Sequence, residues 1–203
     1  MINRKFFFDH VRANLFAGRL TASQVSGMNF ILDVWEASHA AQDDRWLAYA
    51  LGTAFHETAF TMQPIKELGG DKRFHDLYDI GGRNPTLARG LGNLQPGDGI
   101  LFHGRGYVQL TGRANYKRMQ AAFGGDLTSS RAAADGVLQP ALAAKIMFKG
   151  MIEGIFTGKK LGDYFNGPRE DWVNARRIIN RLDRADDIAG YARKFYAALS
   201  HTV

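Results

Sequence analysis

Apolar residues recur at helical spacing near both ends of the chain, and this periodicity constrains the fold more than any other feature of the sequence. Thr21 and Ser23 are suitable helix N-caps, and the apolar side chains after them fall three or four residues apart, at Val25, Met28, Leu32 and Trp35. This spacing places the apolar side chains on one face, so the segment is predicted to be an amphipathic α-helix that packs against a core.

Three further regions carry helical signals. A second helix is predicted to begin near Asp43 or Asp44. Another is predicted to begin at Pro140, because proline is favoured in the first turn of a helix. Residues 171–199 carry the apolar pattern of two more helices. The chain is therefore predicted to be mainly α-helical.

Residues 69–112 differ from the rest because they are rich in glycine and include Pro85 and Pro96. This composition predicts long loops with little regular structure and at most a small β element. Aromatic residues within the region favour ordered loops around a cleft: Phe74, Tyr78, Phe102 and Tyr107. Since the chain shows no repeat and no clear linker, residues 1–203 are predicted to form a single domain with no separate second module.

Charge and cysteine content narrow the classes of partner. The 203-residue chain has a formal net charge of +6, which favours polyanions such as nucleic acid or the acidic polymer of a bacterial wall. The charges are dispersed and no nucleic-acid motif accompanies them, so nucleic acid is not the predicted partner. The chain has no cysteine, which excludes disulfides and thiolate metal sites.

No targeting or membrane-spanning segment is predicted. Asp9 and His10 interrupt the apolar run Phe6–Phe8 well before it reaches the length of a signal-peptide core. No other stretch approaches the ~20 apolar residues of a membrane span. We therefore expect synthesis in the cytoplasm and no stable membrane insertion.

Glu57 is the first candidate catalytic residue. Glutamate is scarce, with five in the chain, and Glu57 ends the apolar stripe of the helix predicted from Asp43 or Asp44. An inward-facing carboxyl group near a helix C-terminus is desolvated and meets the negative end of the helix dipole. Both effects favour the protonated group that a general acid needs. The alternative is a helix-end glutamate that points into water.

Glu67 is the second candidate, in the loop after that helix and just before Gly69 and Gly70. Two carboxyl groups in different environments are the minimal requirement for glycoside hydrolysis. A metal site is the alternative that the nearby histidines raise. His56 and Glu57 are not followed by a second histidine at helical spacing, so the zinc-protease motif is absent and we predict neither metal nor cofactor.

The segment 104–116 carries the most specific pattern. Glycines on both sides of Arg105 allow a sharp turn that brings its cation close to a ligand. In the residues that follow, the polar side chains of Tyr107, Gln109 and Thr111 alternate with apolar ones. An extended chain would place these three on one face, with Thr111 as the cap of a helix that includes Asn115. Neutral polar groups with aromatic rings are typical of sugar binding. The alternative is a polar edge strand, which leaves the glycines unexplained.

Three blocks of sequence together resemble glycoside hydrolase family nineteen, which contains chitinases and bacteriophage endolysins. The blocks are His56-Glu57-Thr58, the stretch 102–116 (FHGRGYVQLTGRANY), and Ile178-Ile179-Asn180. The resemblance covers roughly residues 45 to 199, so we divide the chain into an N-terminal helical part, 1–42, and a core, 43–203. It implies a lysozyme-like, two-lobed helical fold. The short chain without cysteine is most similar to the phage branch.

The resemblance also implies roles for individual residues. Glu57 matches the general acid, and Thr111 matches the residue that positions the attacking water. Gln109, Asn115 and Asn180 match residues that hold the sugar or line its cleft. Tyr107, Arg105 and His56 lie in the same sequence blocks, and we assign them to sugar binding as well. Because the family inverts the anomeric carbon, a base is required, and we assign Glu67 to it. Two departures affect the shape of the site: Ala59-Phe60 and Arg181 stand where the family often has glycine.

These observations predict a muramidase-like endolysin that cleaves β-1,4 bonds of peptidoglycan with inversion. We expect a monomer that reaches the cell wall only after a holin permeabilises the membrane. A chitinase with the same residues is the first alternative. A non-catalytic wall-binding domain is the second, although such a domain is expected to lack Glu57, which this chain keeps.

Overall fold

The computed structural model describes residues 1–201. Over these residues the α-helices, in chain order, are α1 (Arg4–Asn14), α2 (Ala22–Ser38), α3 (Asp44–Glu57), α4 (Asp71–Tyr78), α5 (Pro85–Gly90), α6 (Asp98–Leu101), α7 (Arg113–Phe123), α8 (Arg131–Ala134), α9 (Pro140–Glu153) and α10 (Ala185–Ala197). Short 3-10 helices cover Asp135–Leu138, Leu161–Asp163 and Asn174–Ile178. The strands form two antiparallel pairs, β1 (Ile65–Lys66) with β2 (Arg105–Gly106), and β3 (Phe165–Asn166) with β4 (Arg169–Glu170). The prediction of a mainly α-helical chain with little β structure is confirmed.

The helix starts that the sequence predicts are confirmed. The Thr21 hydroxyl accepts a hydrogen bond from the Gln24 backbone at 3.1 Å, and the Gln24 side chain accepts one from the Thr21 backbone, which forms a capping box at the start of α2. Asp43 caps α3 by accepting the Arg45 N–H at 2.9 Å. Pro140 is the first residue of α9. Within 171–199 the structure has one α-helix, α10, and one 3-10 helix in place of the two predicted α-helices.

The chain divides into two compact units. The first unit comprises Met1–Gln63 and the chain from Met147 onward, and the second unit is Pro64–Ile146. Over the residues described, no helix is both long and apolar enough to cross a bilayer.

The core of the first unit is built on α3 and α10. The two helices touch at Gly52, where a β-carbon would lie 2.8 Å from the Ala192 nitrogen. Near the C-terminal end of α3, the Phe55 ring packs edge-on against Tyr191, with 4.9 Å between ring centroids, and contacts Phe195 at 5.9 Å. Because these rings are packed at interior density, the end of α3 is held firmly in place.

The glycine-rich part of the second unit consists mostly of ordered loops, as predicted, but it also has three short helices that the sequence pattern did not predict. It contains α4, α5 and α6. The buried Asp79 carboxylate accepts the backbone N–H groups of Gly97 and Gly99 at 2.8 and 3.1 Å, and Asp98 forms an ion pair with Arg113. These bonds satisfy polar groups of the short helices, which have too few turns to show a periodic sequence pattern.

Candidate functional site

Glu57 is the last residue of α3, and its side chain is 18% exposed. Its Oε1 accepts a hydrogen bond from Arg176 Nη1 at 2.6 Å. The Arg176 side chain is 3% exposed, and its Nε donates to the Asp183 carbonyl at 3.0 Å. The partial burial agrees with the prediction, but the predicted apolar surroundings are wrong, because a buried guanidinium lies against the carboxylate.

The turn after α3 has a left-handed backbone at residues other than glycine. The φ angles are 49° at Ala59, 67° at Phe60 and 55° at Met62. Helix α2 holds this turn, because the Gln24 side chain donates to the Phe60 carbonyl at 3.0 Å and a β-carbon on Gly27 would lie 1.8 Å from the Met62 carbonyl oxygen. Alanine and phenylalanine therefore occupy positions that glycine would adopt without strain.

Asn180 and His56 are the other predicted site residues of the first unit. Asn180 is exposed, its backbone N–H bonds to the Arg176 carbonyl at 3.0 Å, and its side-chain oxygen accepts the Arg181 N–H at 2.8 Å. His56 is half-buried and directly precedes Glu57. The chain thus brings Asn180 to the backbone of the arginine that contacts Glu57. The sugar-binding roles of Asn180 and His56 stay predictions.

Glu67 follows β1 in the second unit and is held on both carboxylate oxygens. The Tyr78 hydroxyl donates to Oε1 at 3.1 Å and the Gly104 N–H donates to Oε2 at 3.3 Å. The Glu67 N–H in turn donates to the Gly104 carbonyl at 2.9 Å. Burial, together with the neighbouring Glu67 carboxylate, raises the pKa of Tyr78 to about 12, so its hydroxyl remains a donor at neutral pH.

The aspartates that follow Glu67 have other partners. Asp71 pairs with Arg131 at 2.7 Å, Asp76 pairs with Lys72 at 2.9 Å, and Asp79 is bound to three glycine N–H groups. A general base needs a lone pair that is open to water. Glu67 is better suited than these aspartates, because both of its hydrogen bonds come from neutral donors, whereas Asp71 and Asp76 are paired with cations and Asp79 is buried.

Two of the predicted sugar-binding residues are buried, which corrects their assignment. Arg105 has no exposed side-chain surface; its Nε donates to Asp135 at 2.8 Å, and its Nη1 donates to the Tyr116 hydroxyl at 3.0 Å. Tyr107 is also fully buried. A side chain without exposed surface cannot contact a polymer from solution, so Arg105 and Tyr107 stabilise the fold around the site.

The segment after β2 is a tight turn, so the predicted extended run with alternating faces is wrong. The backbones of Arg105 and Leu110 exchange hydrogen bonds at 2.8 and 3.2 Å across this turn. Gln109 lies in the turn with a φ of 55°. A β-carbon on Gly104 would lie 2.8 Å from Gln109 Oε1 and 3.2 Å from Glu67 Oε2. Glycine is therefore needed where the amide of Gln109 and the carboxylate of Glu67 approach the same point.

Thr111 and Asn115 extend this polar surface. The Thr111 hydroxyl donates to the Gln109 carbonyl at 2.8 Å, and the Asn115 side chain donates to the Thr111 carbonyl at 2.9 Å. Helix α7 begins after Gly112, so the prediction that Thr111 caps it is wrong. Gln109, Thr111 and Asn115 are all half-buried, which leaves part of each side chain open to a ligand. The second unit thus brings Glu67, Gln109, Thr111 and Asn115 together.

Sequence reasoning missed Arg176 and Tyr78 as site residues. Tyr78 was visible as an aromatic residue of the glycine-rich segment, and Arg176 lies next to the Ile178-Ile179-Asn180 block. Over residues 1–201, no group of three histidine, cysteine or acidic side chains is placed to hold a metal ion.

The fold is similar to that of a chitinase. A crystal structure of chitinase C carrying a glutamate-to-glutamine substitution superposes with a TM-score of 0.50, over 97% of this chain and 91% of that chain, at 18% identity. No protein-family model and no curated protein sequence matches the chain. At this identity the likeness concerns the fold alone: the chain has a mainly helical fold similar to that of this chitinase.

Proposed function

We propose that the protein, whose fold is similar to that of a chitinase, is a glycoside hydrolase. It cleaves β-1,4 bonds in the peptidoglycan of the bacterial cell wall and acts as an endolysin. The observation that carries the proposal is the environment of Glu67. Its carboxylate receives one hydrogen bond on each oxygen and lies beside the Gln109 amide and the Thr111 segment. An oriented carboxylate beside neutral polar groups is suited to activate water next to a bound sugar.

The proposed mechanism uses two glutamates. In its protonated form, Glu57 donates its proton to the glycosidic oxygen while the bond from that oxygen to the anomeric carbon breaks, and it becomes the carboxylate that pairs with Arg176. Glu67 takes a proton from the water whose oxygen forms the new bond on the opposite face, so the configuration inverts. Thr111 orients this water, whereas Gln109 and Asn115 hold the sugar. The Arg176 guanidinium keeps the Glu57 carboxyl group in one orientation.

Chitin is the alternative substrate, and the chitinase fold of the structural neighbour favours it. The formal net charge of +6 favours the carboxylate-rich wall polymer over neutral chitin. Digestion of purified peptidoglycan and of chitin hexamers, with mass spectrometry of the products, separates the two. We expect muropeptides with new reducing ends. Products from chitin alone would select the chitinase, and anhydro-sugar ends would contradict hydrolysis.

Substitution of the glutamates tests the mechanism. A general acid or base typically contributes ~10²–10⁴-fold, so Glu57→Gln and Glu67→Gln should each lower turnover severely while the protein still binds the wall. Azide should partly restore the Glu67→Gln variant, because it replaces the activated water. A folded Glu57→Gln variant with near-normal activity would overturn the assignment, and the same result for Glu67→Gln would remove only the base.

The endolysin role has its own test. Cytoplasmic expression should be tolerated until the inner membrane is permeabilised by a holin or chloroform. Prompt lysis without either agent would contradict holin-dependent access.

A further inference from the structure

A groove in the first unit lies outside the residues proposed for catalysis. It consists of two adjoining cavities of about 440 and 640 Å³, which share Gly162, Asp163 and Asn166 as lining residues. Both volumes fall within the ~300–1,000 Å³ range of ligand sites. The walls come from the 3-10 helix Leu161–Asp163, the β3–β4 hairpin and the start of α3. We call this feature the basic groove.

Trp46 supplies aromatic surface to the basic groove. Its indole N–H donates to the Phe165 carbonyl at 3.0 Å, which fixes the ring and leaves its carbon atoms as the ligand-facing part. A β-carbon on Gly162 would lie 3.5 Å from the Trp46 ring, so glycine keeps this part of the groove open. A fixed, half-buried indole is the kind of surface on which apolar faces of ligands pack at low entropic cost.

The groove carries cations that the described part of the chain leaves without carboxylate partners. Lys159, Lys160 and Arg169 line it, and within residues 1–201 none of the three forms an ion pair. Asp163 accepts the Lys160 backbone N–H at 3.0 Å, and the ion pair of Asp43 is with Arg45. The groove therefore presents a net positive charge to a ligand.

Arg45 holds the backbone of the β3–β4 hairpin that forms one wall of the groove. Its two Nη atoms donate to the Gly167 and Arg169 carbonyls at 3.0 and 3.2 Å, while Asp43 holds its Nε. The side chain of Arg45 is only 13% exposed. Since the backbone of Arg169 is fixed in this way, its side chain starts from a fixed point on the wall of the groove.

We propose that the basic groove binds the carboxylate-bearing peptide side chains of peptidoglycan. The identity of the polymer rests on the proposed function. Lysine and arginine recognise the carboxylates, the Asn166 amide suits the peptide backbone, and Trp46 packs against aliphatic peptide carbons. Peptides recur along the wall, so a weak second site retains the enzyme on its insoluble substrate by raising the effective concentration.

The test is co-sedimentation of the Glu57→Gln protein, which should not digest the wall, with intact sacculi, peptide-stripped wall glycan and duplex DNA. The first variant adds Lys159→Ala, Lys160→Ala and Arg169→Ala. Its matched control removes three exposed, unpaired cations elsewhere, Arg19, Lys145 and Lys194, with the same change in net charge. Gly162→Ala fills the groove without changing charge, and Gly190→Ala, where a β-carbon meets nothing within 4 Å, is its control.

We expect the groove triple variant to bind intact sacculi on the order of tenfold more weakly, because an exposed ion pair contributes up to about fivefold in affinity. Gly162→Ala should weaken binding too, and both control variants should bind normally. The affinity of the parent Glu57→Gln protein for peptide-stripped glycan should be as low as that of the triple variant for sacculi. Equal loss in the two triple variants, equal binding to stripped glycan, or tighter binding of DNA than of sacculi would each overturn the inference.

The two proposals fail separately. If the groove variants bind sacculi normally while the protein without Glu57→Gln digests them, the groove inference fails and the hydrolase stands. If sacculi bind through the groove but neither peptidoglycan nor chitin is cleaved, the proposed function fails and the groove remains a wall-binding site.

Discussion

Replacing Arg176 with methionine should destabilise the protein strongly, because it leaves the Glu57 carboxylate partly buried beside an apolar side chain. Removing one partner of a buried ion pair costs about 3–5 kcal/mol. The Arg176 side chain is 3% exposed but that of Glu57 is 18% exposed, so water recovers part of the loss. We therefore expect the free energy of unfolding to fall by about 2–4 kcal/mol.

Glu57→Gln should cost less, about 1–2 kcal/mol, because the amide oxygen still accepts a hydrogen bond from the guanidinium. The double variant should lose less than the sum of the single changes. Residues that share a contact typically couple by ~0.5–3 kcal/mol, and we expect the pair to lie within this range.

The assay is urea unfolding of the four proteins at pH 7, with the m-value checked for a constant unfolded state. Arg177→Met is the matched control, since Arg177 is exposed and surface changes of this kind lie within about 0.5 kcal/mol. If Arg176→Met is no more destabilising than this control, or if the coupling energy is zero, the buried ion pair does not hold the end of α3.

Three further predictions follow from individual contacts. Tyr78→Phe removes a hydrogen bond to the Glu67 carboxylate. Since such a bond is worth about 1.5–3 kcal/mol, kcat should fall about tenfold or more with KM unchanged. Normal kcat in steady-state assays would contradict this role. Ala59→Gly should raise the free energy of unfolding by up to ~1 kcal/mol by relieving a positive φ. The control Ala121→Gly within α7 should lower it by about as much. If urea titrations show that both variants change the free energy of unfolding in the same direction, the backbone of Ala59 is not strained. Partial burial raises the pKa of Asp135, but its two hydrogen-bonded cations outweigh this and leave the pKa below its ordinary value of 3.8. The stabilisation is therefore fully present above about pH 4 and is lost as the pH falls through the lowered native pKa. Asp135→Asn should destabilise the protein most at neutral pH, and the difference from wild type should shrink steadily as the pH falls below about 4. A constant difference in unfolding midpoints would argue against this.

The sequence predicted the long helices well because their signals are local. Thr21, Asp43 and Pro140 are starts that depend on residues within one turn, and the structure has all three. The short helices between Gly69 and Gly112 were missed because tertiary bonds hold them. The Asp79 carboxylate, for instance, reaches N–H groups 18 and 20 residues further along the chain.

The same distinction applies to the candidate site. Residues that carry the polar chemistry could be selected by type and motif, but their partners lie far away in sequence. Arg176 is 119 residues from Glu57, and no periodicity relates the two. Arg105 was assigned to sugar binding because the glycines on both sides of it allow a sharp turn that brings its cation close to a ligand. Its buried position depends on Asp135, 30 residues further along, which the local pattern does not reveal.

Backbone strain gives a reason to place function at the two glutamates that does not depend on resemblance. Over the described residues, the non-glycine residues with left-handed φ are Ala17, Ala59, Phe60, Met62, Gln109 and Arg184. Ala17 and Ala59 follow the C-terminal ends of α1 and α3, where a left-handed residue is common. Arg184 precedes α10. Phe60 and Met62 lie in the turn that follows Glu57, and Gln109 lies in the turn beside Glu67. Each costs of order 1–3 kcal/mol and persists only where the surrounding structure enforces it. A chain selected for stability alone would gain by replacing Phe60, Met62 or Gln109 with glycine. Their retention at these two turns supports the proposal that the turns position groups for catalysis.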